Sequence, residues 1–352
     1  MNLSQLYARG KLFASFQYHR AFNKHAPLVS LLLLTARCNF SCTSCYVEHR
    51  GEFPDLPVET WKKIIMDLKS RGNKLIFLMG GEPLLYAGFS ELVDFIKSQG
   101  LQCHVITNGA LIRKHIGTLK KVDLVETSLD GAEKGNDANR GIGTFKLIDA
   151  GMHALKENKI PFRIKCVLTQ ANVGDVQWML DYASQFDVYT DFTIPIESTN
   201  PKYDCSVPIT KNQLIDVFKQ ILELSDKYKI TTSKKGINHI LNYPYDFDKI
   251  VNKTDESHTS VYPHECPFGR FIIFVDARGN IYPCSPLWGN FLRDIPVFTP
   301  KNIFKDGIDD ALKNAQNLPC WICIHEGGVE WVEMSSFRGL IHALKFTLNQ
   351  MK

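Results

Sequence analysis

The chain has 352 residues, 44% of them apolar and 22% charged, the balance of a folded protein with a sizeable core and room for a smaller appended unit. A net charge of +4 is weak for this length and gives no footing for a nucleic-acid partner. No apolar run reaches the roughly 18 residues of a membrane span, and Arg37 before Cys38 is not the small residue a lipoprotein cleavage site needs.

Taken in order, residues 1–25 carry Arg9, Lys11, Arg20 and Lys24 and no acid; the first acid is Glu48. Leu3, Leu6, Phe13 and Phe16 recur at helical spacing, so 1–27 reads as a basic amphipathic extension. Capping the open bottom of a barrel is favoured over docking on an anionic membrane at its inner face. Strands are expected at 28–36, 74–79, 102–107, 124–129, 162–169 and 189–195. Helices are expected between and after them, at 58–70, 90–99, 111–120, 143–157, 176–185 and 211–228. This alternation predicts an α/β fold with a parallel sheet and helices outside, curled by right-handed crossovers into an open or closed barrel. Chemistry in such barrels sits at the carboxyl ends of the strands. Residues 231–262 are polar and read as a linker. Beyond them 271–283 reads as a hairpin turning on Arg278-Gly279-Asn280, followed by a helix at 308–317 and a basic amphipathic helix at 335–352.

The ten cysteines lie at 38, 42, 45, 103, 166, 205, 266, 284, 320 and 323. With no convincing export signal they point to a reducing cytoplasm and to metal binding rather than disulfides. Cys103 and Cys166 fall in apolar strands and read as core residues. Cys38, Cys42 and Cys45 form a C-x3-C-x2-C triplet directly after the first strand. Three thiolates can hold three irons of a cubic cluster that usually takes four, leaving one iron open to a ligand. Tyr46 follows and could shield such a cluster or pack on a flat ring. Scattered core cysteines or zinc are the alternatives, and zinc sites usually pair two C-x2-C knuckles.

The triplet with Tyr46 resembles the signature of the radical SAM superfamily. The resemblance implies a partial (β/α)6 TIM-like barrel over 28–230. It also implies a [4Fe-4S] cluster on Cys38, Cys42 and Cys45 whose open iron chelates S-adenosylmethionine (SAM) and delivers an electron that releases a 5′-deoxyadenosyl radical. Gly80-Gly81-Glu82-Pro83, after the second strand, resembles the superfamily's GGEP motif, whose backbone and glutamate contact the methionine amino group. Thr107-Asn108-Gly109, after the third, reads as an ordinary turn. Ser128-Leu129-Asp130-Gly131 and Arg140-x-x-Gly143-Thr144-Phe145 resemble segments of the maturase-like branch, where serine and arginine hold the methionine carboxylate. A planar guanidinium suits that task. Leu168, ending the fifth strand, stands where such enzymes pack adenine.

Cys266, Cys284, Cys320 and Cys323 are spaced C-x17-C-x35-C-x2-C, and the hairpin brings its flanking cysteines together. Over 263–334 this resembles the twitch domain, the shortened relative of the SPASM domain, which holds one auxiliary [4Fe-4S] cluster. Four thiolates would satisfy zinc equally well. A fully ligated cluster suits electron transfer, with flavodoxin or ferredoxin as donor. Ser285 stands where sulfatase-maturing relatives carry an acid after the second cysteine, so formylglycine formation is not supported. Glu197 and His264 are candidates for the substrate side. Only some 27 residues precede the first strand, so the leader-binding domain of many peptide-modifying relatives is not expected. The sequence therefore favours hydrogen abstraction from a small-molecule or lipid-like substrate. A peptide-modifying (RiPP maturase-type) enzyme and a non-enzymatic zinc-binding protein are the alternatives.

Overall fold

Six strands follow one another in both sequence and space, each joined to the next by a helix packed on its outer face. The structure is a computed structural model, and it describes residues 3–22, 24–45, 47, 53–195, 209–246, 249–288, 298–318 and 320–334. After α1 (Leu3–Ala21), the barrel runs β1 (Val29–Leu33), α2 (Val58–Ser70), β2 (Leu75–Met79), α3 (Phe89–Ser98), β3 (Gln102–Thr107) and α4 (Ile112–Leu119). It continues through β4 (Leu124–Ser128), α5 (Glu133–Arg140), α6 (Thr144–Glu157), β5 (Phe162–Val167), α7 (Val176–Phe186), β6 (Thr190–Thr193) and α8 (Lys211–Leu224). All neighbouring pairs from β1 to β6 are parallel. This is the expected partial (β/α)6 TIM-like barrel.

Periodicity explains why most of the elements were legible. In α2, Trp61, Ile64, Ile65 and Leu68 are the buried residues, one stripe at helical spacing. In β5, Phe162, Ile164 and Cys166 are buried while Arg163, Lys165 and Val167 are less so, an alternation that gives the strand two faces. The buried set joins the main core with helix residues such as Met152 and Leu180. Cys103 and Cys166 lie in that core, as expected.

Three features were not read from the sequence. First, α5 buries Gly135, Asn136, Asn139 and Arg140, so it has no apolar stripe to betray it. Second, the stretch expected to be a linker is partly ordered, with α9 (Lys234–Leu241), β7 (Ile250–Asn252) and the short α10 (His258–Val261). Ile237 and Ile240 are buried on α9, too few apolar residues to stand out in a polar segment. Third, the hairpin of β8 (Ile272–Val275) and β9 (Asn280–Tyr282) joins the barrel sheet. β8 pairs in parallel with β1, Val29 opposite Ile272 through Leu32 opposite Val275, covering an edge that would otherwise be open.

Past the hairpin come α11 (Ser285–Trp288), β10 (Lys301–Asn302), α12 (Ile303–Asp306), α13 (Ile308–Gln316), β11 (Cys320–Cys323) and α14 (Glu326–Met334). The sheet order is β10-β9-β8-β1-β2-β3-β4-β5-β6, and β11 pairs separately with β7. α1 closes the bottom of the barrel: Phe16 is buried among Val29, Leu75, Phe77 and Ile272, with its ring 5.5 Å from that of Phe271 and 6.0 Å from that of Trp331. No helix among the described residues is long and apolar enough to cross a membrane. The helix expected at 335–352 lies outside the described residues.

Candidate active site

The loop after β1 carries Cys38, Cys42 and Cys45 at the carboxyl end of the barrel. It is gripped from two sides. From β2, Gly81 N donates to Thr35 O (2.7 Å) and Glu82 N donates to Arg37 O (2.8 Å). A methyl group on Gly80 would come within 2.7 Å of the Thr35 carbonyl oxygen, and one on Gly81 would run into the carbonyls of Ala36 and Arg37. The two glycines are therefore required by the cysteine loop itself, whose backbone lies flat against theirs. Gly81→Ala should cost about 1–3 kcal/mol, as overpacking does, and displace the loop. The checks are a lower thermal midpoint and reduced iron retention beside an unchanged far-UV spectrum.

From β4 and α5 comes the second grip. Asn139 O accepts from Thr43 N (2.8 Å), and its Oδ1 accepts from Thr43 Oγ1 (2.9 Å) and Ser44 N (3.1 Å). Asn139 Nδ2 donates in turn to Asp130 Oδ2. Asp130 is fully buried; its Oδ1 accepts from Val167 N (2.9 Å), and Arg140 Nε lies 2.7 Å from its Oδ2. Arg140 is itself buried and sits within electrostatic reach of Cys42. Its partner in this structure is thus Asp130. Neither Asp130 nor Asn139 was singled out by sequence. The first stood inside a recognised tetrapeptide, and the second is a polar residue with no pattern around it.

Glu82 is fully buried and holds three donors: Leu84 N (3.1 Å) and Thr107 Oγ1 (2.8 Å) on Oε1, and Asn108 N (2.8 Å) on Oε2. Burial pushes its carboxyl up to about 7, and a cationic ammonium group beside it would pull it back down. Thr107 and Asn108 are more than a turn. Asn108 Nδ2 also reaches Asn39 Oδ1 (2.8 Å) and Cys38 Sγ (3.7 Å), and Phe40 N donates to the same sulfur (3.4 Å). Burial raises the Cys38 thiol and pushes that of Cys42 up to about 11, and the neighbouring cysteines add to both shifts. Crowded thiolates that accept N–H bonds suit a positively charged metal centre. Ser128 ends β4 on the barrel interior, in register with Lys165. Leu168, at the carboxyl end of β5, is fully buried and joins the main core. Tyr46 and Glu197 lie outside the described residues.

The second cysteine set also converges. Cys266 N donates to Trp321 O (2.8 Å), tying the residue before the hairpin to the Cys320–Cys323 strand. Cys284 packs with Cys320 and Cys323 around Ile250 and Leu287. Burial raises the thiols of Cys266 and Cys320 and takes that of Cys284 to about 12, with Cys323 next among the causes in each case. The sulfurs of Cys266 and Cys284 accept backbone N–H bonds from Phe268 and Leu287. Among the described residues no three His, Cys, Asp or Glu side chains are grouped to hold a single metal ion. His264 lines a surface cleft with Arg20, Glu265 and Arg270 beside Cys266, away from the β1 cysteine loop.

Residues 32–183 match the family model of the radical SAM superfamily. Among curated proteins, the Fe-coproporphyrin III synthase of Methanosarcina barkeri is 34% identical over 166 residues, 46% of this chain and 42% of that protein. The chain thus spans less than half of that relative. The AdoMet-dependent heme synthase of the same organism is 23% identical over 284 residues, 77% of this chain and 81% of that protein. Among solved structures, Streptococcus suis SuiB bound to its precursor peptide SuiA superposes with a TM-score of 0.66 at 17% identity, covering 89% of this chain and 69% of that one. With the barrel and the cysteine loop at its carboxyl end, the match identifies residues 32–183 of this chain as a radical SAM domain.

Proposed function

We propose that the chain is a radical SAM enzyme that reductively cleaves SAM and abstracts hydrogen from a small-molecule or lipid-like substrate. The observation that carries it is the meeting of three elements at the strand ends: the cysteine loop, the Gly80-Gly81-Glu82 turn and the Asp130–Arg140 pair. Cys38, Cys42 and Cys45 would hold a [4Fe-4S] cluster. The chemistry supplied by the bound cluster and SAM is one electron into the sulfonium, release of methionine and a 5′-deoxyadenosyl radical, and loss of a hydrogen atom from substrate to that radical. The protein's part is to place the pieces. Gly80, Gly81 and Glu82 receive the amino group, with Glu82 already oriented by Thr107 and Asn108. Ser128 and Arg140 receive the carboxylate. Asn108 and Phe40 donate to the Cys38 sulfur, a contact that tunes cluster potential.

Cys266, Cys284, Cys320 and Cys323 would hold an auxiliary [4Fe-4S] cluster in a twitch/SPASM-like unit over 263–334, with a role in electron transfer. A flavodoxin or ferredoxin is the proposed donor. The likeness to SuiB with its precursor peptide favours a second reading, a peptide-modifying enzyme. The burial of Phe16 against the barrel argues for α1 as a plug rather than a membrane anchor.

Anaerobic reconstitution with iron and sulfide tests the proposal. About eight irons per chain and formation of 5′-deoxyadenosine with dithionite are expected. Bound zinc with no nucleoside product would overturn it.

A further inference from the structure

The third cysteine of the β1 loop does not rest on the barrel alone. Val47, two residues past Cys45, is buried and packs in one apolar cluster with Leu33 of β1 and Met79 of β2. The other buried members, Phe274, Ala277, Tyr282 and Trp288, come from the β8–β9 hairpin and α11, beyond the matched residues 32–183. Cys45 itself packs against this cluster. The rings of Phe274 and Trp288 lie 5.4 Å apart within it.

A second contact holds the same segment further along. The Arg278 guanidinium lies 4.4 Å over the ring of Phe53. Arg278 sits in a turn stiffened by the buried carboxylate of Asp276, which accepts from Arg278 N (2.8 Å), Asn280 N (2.9 Å) and Asn280 Nδ2 (2.8 Å). The hairpin therefore touches the chain leaving Cys45 at residue 47 and again at residue 53. Trp288 is tied at its other end, since its backbone N–H donates to Cys284 O (3.3 Å). One residue thus joins a cysteine of the second set, through its backbone, to the packing beside a cysteine of the first, through its ring.

An apolar wall beside a thiolate keeps water from its sulfur, and solvent access is one of the levers that sets a cluster's potential. We infer that the C-terminal hairpin forms one wall of the seat for the β1-loop cluster, with Trp288 as a positioning residue that fixes the loop at Cys45 and excludes water from that sulfur. This inference rests on the proposed function for the cluster itself and adds what shields it.

The test uses the full chain, reconstituted anaerobically and reduced. The part of its electron paramagnetic resonance spectrum that changes on adding SAM reports the β1-loop cluster. In Trp288→Ala that signal should shift, and on brief exposure to air it should be lost about tenfold faster than in the parent protein. Val47→Ala, which trims the wall from the loop side, should speed the loss less, and Trp288→Phe should restore most of the parent rate. A second arm reads the thiols directly. In the metal-free chain, alkylation followed by mass spectrometry should show Cys45 reacting about tenfold faster in Trp288→Ala, with Cys38 unchanged. The core thiols of Cys103 and Cys166 should stay protected, which separates an opened wall from unfolding. If Trp288→Ala exposes Cys103 as well, Val47→Ala decides by the same two readings. Parent-like air sensitivity and Cys45 reactivity in both variants would overturn the inference. Lack of any SAM-dependent signal in the parent protein would strike the proposed function instead, since the alkylation arm needs no cluster.

Discussion

Cys42→Ala is expected to reduce 5′-deoxyadenosine formation to that of a protein-free control, with iron falling by about four per chain. Cys42 is the most informative member of the triplet because it joins both halves of the site: its thiol is partly buried and feels the charges of Cys38, Cys45 and Arg140. Alanine there removes one of the three thiolates of the loop, which holds no fourth cysteine to replace it. The matching change at the far site, Cys320→Ala, should have a different signature. It should also cost about four irons but spare SAM cleavage, because Cys320 lies with Cys266, Cys284 and Cys323, the proposed auxiliary ligands, and not in the β1 loop. Turnover of substrate is what it should stop. Iron analysis and nucleoside chromatography on the two variants check both statements. SAM cleavage by Cys42→Ala would refute the first assignment, and loss of zinc instead of iron from Cys320→Ala would refute the second.

The contrast between these two sites also shows how far the sequence could be read. The cysteines of each set are close in sequence or flank a recognisable hairpin, so spacing and turn chemistry were enough to find them. Strands such as Gln102–Thr107 and helices such as Val58–Ser70 were legible for a related reason, since their burial follows a fixed period. What stayed hidden depends on partners far apart in the chain. Asn139 meets Thr43 and Ser44 across 96 and 95 residues. Asn108 meets Cys38 across 70. Polar residues that bury against other polar residues leave no hydrophobic pattern, so α5 escaped notice although it carries Arg140. Gly81 shows the converse: the residue was found, but the reason for it lies in the carbonyls of Ala36 and Arg37.

Asp130→Asn tests the linkage between those hidden partners. Asp130 gathers three separate strands of the site into one carboxylate: the Arg140 guanidinium, the Asn139 amide and the Val167 N–H. Removing its charge while keeping its shape leaves Arg140 buried without a counter-ion, a change that typically costs about 3–5 kcal/mol. Thermal or urea unfolding of the metal-free protein should show that loss. The effect on function should be larger than instability alone explains. With Arg140 released, its fork no longer points where the SAM carboxylate is proposed to lie, and a lost charged hydrogen bond of about 1.5–3 kcal/mol weakens SAM by roughly ten- to a hundredfold. With Asn139 released, the Thr43–Ser44 segment between Cys42 and Cys45 loses its anchor, so the cluster's electron paramagnetic resonance spectrum should broaden or shift. Asn139→Ala separates the two arms: it should alter the spectrum and leave SAM affinity within a few-fold. Equal SAM affinity in Asp130→Asn and the parent protein would show that Arg140 is a structural residue, held by its neighbours and indifferent to the ligand.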